Sequence, residues 1–293
     1  MRHALHRRST ALLPVGAVAA ASLVSLVSLV SLVSAIPSAP AASATTAPSV
    51  RLTFNSSSPG IGQPITSVSN LGTLGDKVRV DVATANGGQA LQVQGLAGSG
   101  RAARLPAYDG STTGPRAVVR IRNTGTTDYL SPGTAAFSWG ADFQLDSLSS
   151  QSGSAGDNGD NLVQHGLTAN QWKLQLDHRH AGCVASGSNG VVSATTTATV
   201  DSASWYRATC RRAVGGNGAV AGVTVVLRRF DTGTGSWVLV ESRRSAGDPG
   251  NVAALNAGVA MSAGGKLNNT DATVATDSDQ FNGTIDNVFY TLG

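Results

Sequence analysis

The stretch Ala136-Phe-Ser-Trp-Gly-Ala-Asp-Phe-Gln-Leu145 puts Phe137, Trp139, Ala141, Phe143 and Leu145 at every second position, with Ser138, Gly140, Asp142 and Gln144 between them. Successive side chains of an extended strand point to opposite faces, so this alternation reads as a strand with one buried and one polar face. The same period recurs in Gln171–Asp177, where Trp172, Leu174 and Leu176 oppose Lys173, Gln175 and Asp177. Val119 and Ile121 oppose Arg120 and Arg122, and Tyr206, Ala208 and Cys210 oppose Arg207, Thr209 and Arg211.

Working outward, the 35 glycines and frequent Thr, Ser and Val resist a helical reading, and thirteen short segments from Val50–Phe54 to Phe281–Leu292 read as strands. The expectation is an all-β, two-sheet antiparallel β-sandwich. Ser147–Asp160 reads as a loop, and Asn251–Ala260 is the one window where a helix competes.

Residues 1–44 read as a secretory signal peptide. Arg2, Arg7 and Arg8 precede an apolar run from Ala11 to Ile36, and the small residues Ala42-Ser43-Ala44 offer a cleavage site. Ser-Leu-Val repeated four times from Ser22 to Val33 lengthens that run, which leaves a retained signal anchor as the competing reading. Thr45–Ser49 is then a short tether and residues 50–293 a single domain. Removing the three leader arginines from 21 basic groups leaves 18 against 17 acidic ones, a net charge of about +1. That balance gives no reason to propose nucleic acid or a membrane surface as partner. The expected location is extracellular, where two cysteines, Cys183 and Cys210, favour one disulfide over two free thiols.

Four stretches resemble the laminin-G-like branch of the concanavalin A-like jelly rolls, in its secreted bacterial form. They are Phe137–Phe143; Asp160-Asn-Leu-Val-Gln-His-Gly166 running into Gln171–Asp177; Trp205-Tyr-Arg-Ala-Thr-Cys210; and Asp279-Gln-Phe-Asn-Gly-Thr-Ile-Asp-Asn-Val-Phe289. The resemblance implies two antiparallel sheets of six or seven strands, ligand contacts on the concave face or the edge loops, and a Cys183–Cys210 bridge.

Fold alone does not assign chemistry. Sugar hydrolases place two carboxylates across the scissile bond, and the glucanases of this superfamily take theirs from a Glu-rich strand. This chain has one glutamate, Glu241, expected at a solvated strand end, so the usual glucanase pattern is missing. Val163-Gln164-His165 is the only fragment with a likeness to lyase sites. His178 and His180 read as a turn or strand end ahead of a metal pair, and no Gly-x-Ser-x-Gly occurs. Structural calcium is a weaker expectation, with Asp146, Asp160 and Asp286 as candidates.

The best remaining constellation is a polar ladder expected on one sheet face: Arg120, Arg122, Asp142, Gln144, Gln164, Lys173, Gln175, Asp177 and Arg207, with His165 beside it. Such groups suit sugar hydroxyls or an acidic glycan, and equally the ordinary solvated face of a sheet. Trp139 and Trp172 fall on the apolar face, Trp205 opens a strand, and Trp237 is the one tryptophan expected to be exposed. The sequence thus points to a secreted, non-catalytic carbohydrate-binding or cell-envelope adhesion module. The alternatives are a polysaccharide hydrolase or lyase using Asp142, Gln164 and His165, and a structural envelope protein that contacts other proteins.

Overall fold

The computed structural model describes residues 46–55, 59–107, 113–146, 160–253, 258–270, 272–275 and 279–293. Residues 1–44, expected to be a leader, and residues 147–159 of the expected loop lie outside them. Among the described residues fifteen strands follow in order: β1 (Val50–Leu52), β2 (Val78–Ala85), β3 (Leu91–Gln94), β4 (Arg101–Arg104), β5 (Arg116–Asn123), β6 (Phe137–Leu145), β7 (Asp160–Leu167) and β8 (Asn170–Asp177). Then come β9 (His180–Gly187), β10 (Gly190–Thr199), β11 (Trp205–Ala213), β12 (Gly222–Asp231), β13 (Ser236–Ala246), β14 (Met261–Ala263) and β15 (Gly283–Leu292). They form the antiparallel two-sheet sandwich that the alternation requires. Sheet I has eight strands, in the order β13-β12-β11-β6-β15-β4-β3 with β1 also on β15, and sheet II has seven, β10-β9-β8-β7-β14-β5-β2. In the Asn251–Ala260 window Val252 makes an isolated bridge to Gly133, and residues 254–257 are outside the described set.

The interior is what period two dictates. Trp139 of β6 and Trp172 of β8 are fully buried, Phe137 stacks on Trp139 at 4.7 Å between ring centroids, and Trp172 stacks on Tyr290 of β15 at 5.1 Å. These large rings fill the space between the sheets along β6, β8 and β15. On the neighbouring strands β9, β10 and β11 the small residues Ala181, Ala185, Ala194 and Ala208 line the interior, with Ala185 paired to Trp172 and Cys210 to Trp139. Small side chains let the sheets converge there, and the Cys183–Cys210 disulfide joins β9 to β11 with Cα atoms 5.6 Å apart, well under the usual ~10 Å between packed sheets.

Two charged side chains have structural roles at strand positions. Continuing the inward set of β11 past Cys210 gives Arg212, which is buried and donates to the carbonyls of Gly133, Ala135 and Gly250 and to Asp248 at 2.7–3.2 Å. Glu241 of β13 is not a solvated strand end. The register of β10 shifts between Thr195 and Thr199, which frees two N–H groups, and Glu241 accepts them from Thr197 at 2.9 Å and Ala198 at 2.7 Å. The carboxylate thereby closes the side of the sandwich where the edge strands of the two sheets meet. Those backbone donors and Arg243 hold its pKa down at about 2.

Over the outer face of sheet II, Leu267, Ala272 and Val274 pack on Ala83, Val118 and Ala260 as a second, small core. This roof covers part of the face where the polar ladder was expected.

Candidate functional site

The ladder does not form a single surface. Alternation fixes which way each side chain points but not which sheet a strand joins, and the expected residues divide between two outer faces directed away from each other. Asp142, Gln144 and Arg207 lie on sheet I, whereas Arg120, Arg122, Gln164, Lys173, Gln175 and Asp177 lie on sheet II.

On sheet II a continuous row crosses all seven strands: Ser193, Val184, Lys173, Gln164, Ser262, Arg120 and Asp81. Much of it is engaged within the protein. Asp81, which no sequence pattern singles out, accepts Nε and Nη2 of Arg120 at 2.8 and 3.1 Å and Arg122 at 2.6 Å, and Arg120 Nη1 donates to Ala272 O. Burial pushes the Asp81 carboxyl up, but the two guanidinium groups outweigh it and hold it low. Gln164 is buried and bonded to Asn161, Gly166 and Gln171. Asp177 bonds the ring of His178, whose φ of 50° and that of Arg179 at 67° make the left-handed two-residue turn of the β8–β9 hairpin.

His165 is a correction. It pairs with Trp172 in register, so it points inward, away from its neighbour Gln164. Burial lowers its pKa to about 4, and its Nε2 faces Val259 O at 3.3 Å. A set of Asp142, Gln164 and His165 therefore spans two sheets and the core and cannot act on one bond. The calcium candidates are also apart: Asp146 follows β6 and pairs with Arg104, Asp160 is buried in β7, and Asp286 lies in β15. Among the described residues no three His, Cys, Asp or Glu side chains converge.

Sheet I carries the more open arrangement. One row runs Leu239, Arg228, Arg207, Asp142, Asp286, and the next runs Trp205, Gln144, Thr284, Arg104. Asp142 takes Arg207 in a bidentate pair at 2.5 and 2.7 Å, and the guanidinium lies over the Trp237 ring at 4.4 Å. Carboxylate and indole together fix the plane of Arg207. The register of β15 shifts after Asp286, and Asn287, with φ of 46°, turns its amide back onto Asp142 at 2.8 Å and Asp286 at 3.4 Å. Beside them only glycine fits at position 140, since a Cβ there would lie 2.4 Å from Ala208 O and 2.8 Å from the Phe289 ring.

Burial first, and the neighbouring Asp142 carboxylate second among the raising causes, push Asp286 up to about 7 despite the N–H of Asn287. Asp142 is 1% and Asp286 7% exposed, both covered too well to flank a glycosidic bond as acid and nucleophile must. The accessible groups lie one row along. Arg104, Gln144, Leu145, Asp146, Ser202 and Thr284 line a depression of about 350 Å³. Trp205, half-buried, adjoins it, and among the described residues neither its indole N–H nor the Gln144 amide has a hydrogen-bond partner. The sequence signal for Trp205 was its parity with Arg207.

No protein-family model and no curated protein matches this chain. Among solved structures it is similar to the binding domain of Botulinum Neurotoxin DC in complex with SialylT, at 9% identity and TM-score 0.48, covering 84% of this chain and 48% of that one. The binding domain of Paraclostridial Mosquitocidal Protein 1 is similar at 11% identity and TM-score 0.47, covering 84% and 49%. The LG1-3 region of the laminin alpha2 chain follows at 14% identity and TM-score 0.41, covering 59% and 30%. The chain spans about half the length of these toxin structures and less of the laminin one. Likenesses at this level concern the arrangement of strands and assign neither family nor ligand.

Proposed function

We propose that this is an exported, non-catalytic carbohydrate-binding module that takes a glycan on the outer face of sheet I. The observation that carries the reading is the pairing of a polar depression with prearranged planar groups. Gln144 in its lining and Trp205, paired with Gln144 across β6 and β11, have no side-chain hydrogen-bond partner among the described residues, and Arg207 is clamped between Asp142 and Trp237 one row away. Sugars are bound by such in-plane hydrogen-bonding groups beside aromatic faces that their C–H edges contact. Holding those groups rigid before binding lowers the entropy cost of ordering them. Export is read from the leader and agrees with the disulfide.

The test is a panel of neutral and acidic polysaccharides, scored for retention of the protein and for release of reducing or unsaturated ends. Retention without release, weakened at least tenfold in Gln144→Ala and Trp205→Ala, is expected. Release of new ends would overturn the non-catalytic reading. The protein-contact alternative has its own support in the exposed Val238, Leu239 and Val240 of edge strand β13, and no retention across the panel would favour it.

A further inference from the structure

The row on sheet II contains one member that the rest does not satisfy. The chain has three lysines, and two of them, Lys173 and Lys266, come together on this face near Asp279. Lys266 lies 3.7 Å from Asp279, which also accepts the Asn161 amide at 3.1 Å. Lys173 is different. It is half-buried, yet among the described residues nothing accepts a hydrogen bond from its ammonium or pairs with it within 4 Å. Taking a charge partly out of water without an acceptor is costly, and a ligand that brings an acceptor relieves that cost.

The surroundings say what would. Two residues along the same face of β8, Gln175 also has no hydrogen-bond partner among the described residues. Opposite Gln175 stands Gly182, and opposite that Thr195; opposite Lys173 stand Val184 and then Ser193. Ser193 and Thr195 are exposed, and Gly182 adds no side chain between Gln175 and Thr195. The result is a strip three strands wide, roughly 10 Å across. An ammonium and an amide stand on one side, two hydroxyls on the other, and a low apolar floor of Val184 and Gly182 lies between them.

We infer that this strip is a second binding surface, on the face opposite the sheet I depression, for a glycan bearing carboxylate groups, with Lys173 as the residue that takes the carboxylate. The hydroxyl and amide rim suits sugar hydroxyls on either side of that contact. Asp279 and Asp177 both act electrostatically on Lys173, and they repel a dianion such as a phosphate ester more strongly than a singly charged carboxylate. Burial lowers the pKa of Lys173, Lys266 lowers it further, and the two aspartates oppose them. A bound carboxylate supplies the close acceptor that neither aspartate provides within 4 Å. This inference does not depend on the sheet I reading.

The test uses the purified protein with polygalacturonate as probe, its fully methyl-esterified form as the uncharged twin, and poly-glutamate as a non-sugar polyanion. Binding is followed by affinity electrophoresis and calorimetry. Expected are binding to polygalacturonate that weakens with added salt, and at least tenfold weaker binding to the ester. Lys173→Gln should lose tenfold or more, Lys173→Arg should keep most of the affinity, and Gln175→Ala should lose a few-fold. Arg229→Gln, which removes an exposed positive charge of β12 that neither surface uses, should bind polygalacturonate as the parent does, which separates Lys173 from a general loss of positive charge. Unchanged thermal midpoints show that these variants fold. Equal binding of the ester, equal binding of poly-glutamate, an unaffected Lys173→Gln, or no binding of polygalacturonate would each overturn the inference.

Discussion

Glu241 Oε2 on the edge strand of one sheet accepts the backbone N–H of Ala198, at 2.7 Å, on the edge strand of the other. The only glutamate in the chain thus stands in for a backbone carbonyl where β10 breaks register. Glu241→Ala leaves the N–H groups of Thr197 and Ala198 without that acceptor and is expected to cost about 1–3 kcal/mol, read as a lower urea midpoint at pH 7.

The pH dependence of that tie has a definite sign. The folded pKa of Glu241, about 2, lies below that of the unfolded chain. Its contribution is therefore complete above the ordinary carboxylate range and is lost as pH falls toward 2. Glu241→Gln should flatten the stability profile across that window, and an unchanged profile would count against the tie.

Asp286 acts in the opposite sense. Its folded pKa of about 7 is above the unfolded value, so the folded protein holds a proton that the unfolded chain has released. Stability from this group falls as pH rises from about 4 to 7. Asp286→Asn should remove that slope and raise the thermal midpoint at pH 8 relative to the parent.

The disulfide closes a segment with a sequence separation of 27. Replacing both cysteines by serine should lower stability by about 3–4 kcal/mol on the loop-entropy estimate. Thiol titration of the denatured, unreduced protein should find no free thiol. Two titratable thiols would contradict the bridge.

Trp237→Ala removes the ring under Arg207 but leaves Asp142 in place. The loss of the cation–π contact, about 0.5–1 kcal/mol, should appear as roughly two- to fivefold weaker glycan retention on sheet I with little change in the thermal midpoint.

Period two made the faces of β6, β8 and β11 legible, including the burial of Trp139, Trp172 and Cys210. Three things escaped it. Sheet membership is set by long-range pairing, so Asp142 and Lys173, each read correctly as facing outward, ended on opposite sides of the molecule. Bulges reset local parity: the one between Asn161 and Val163 lets Leu162 and Val163 both be buried, and the following His165 turns inward. A bulge in β10 likewise created the acceptor requirement that Glu241 meets, and nothing near Glu241 in sequence announces it. Arg212 was within reach, since it continues the parity of Cys210, but a charged residue there reads as exposed until its four acceptors are seen.

The bond between β13 and β10 also bears on how this protein survives crowding by its own kind. A strand at the rim of a sheet offers unpaired amides to any passing chain, and Val238-Leu239-Val240 beside such a rim is the composition from which fibrils start. By occupying the amides of Thr197 and Ala198, a single carboxylate withholds part of that template, and acid strong enough to protonate Glu241 hands it back.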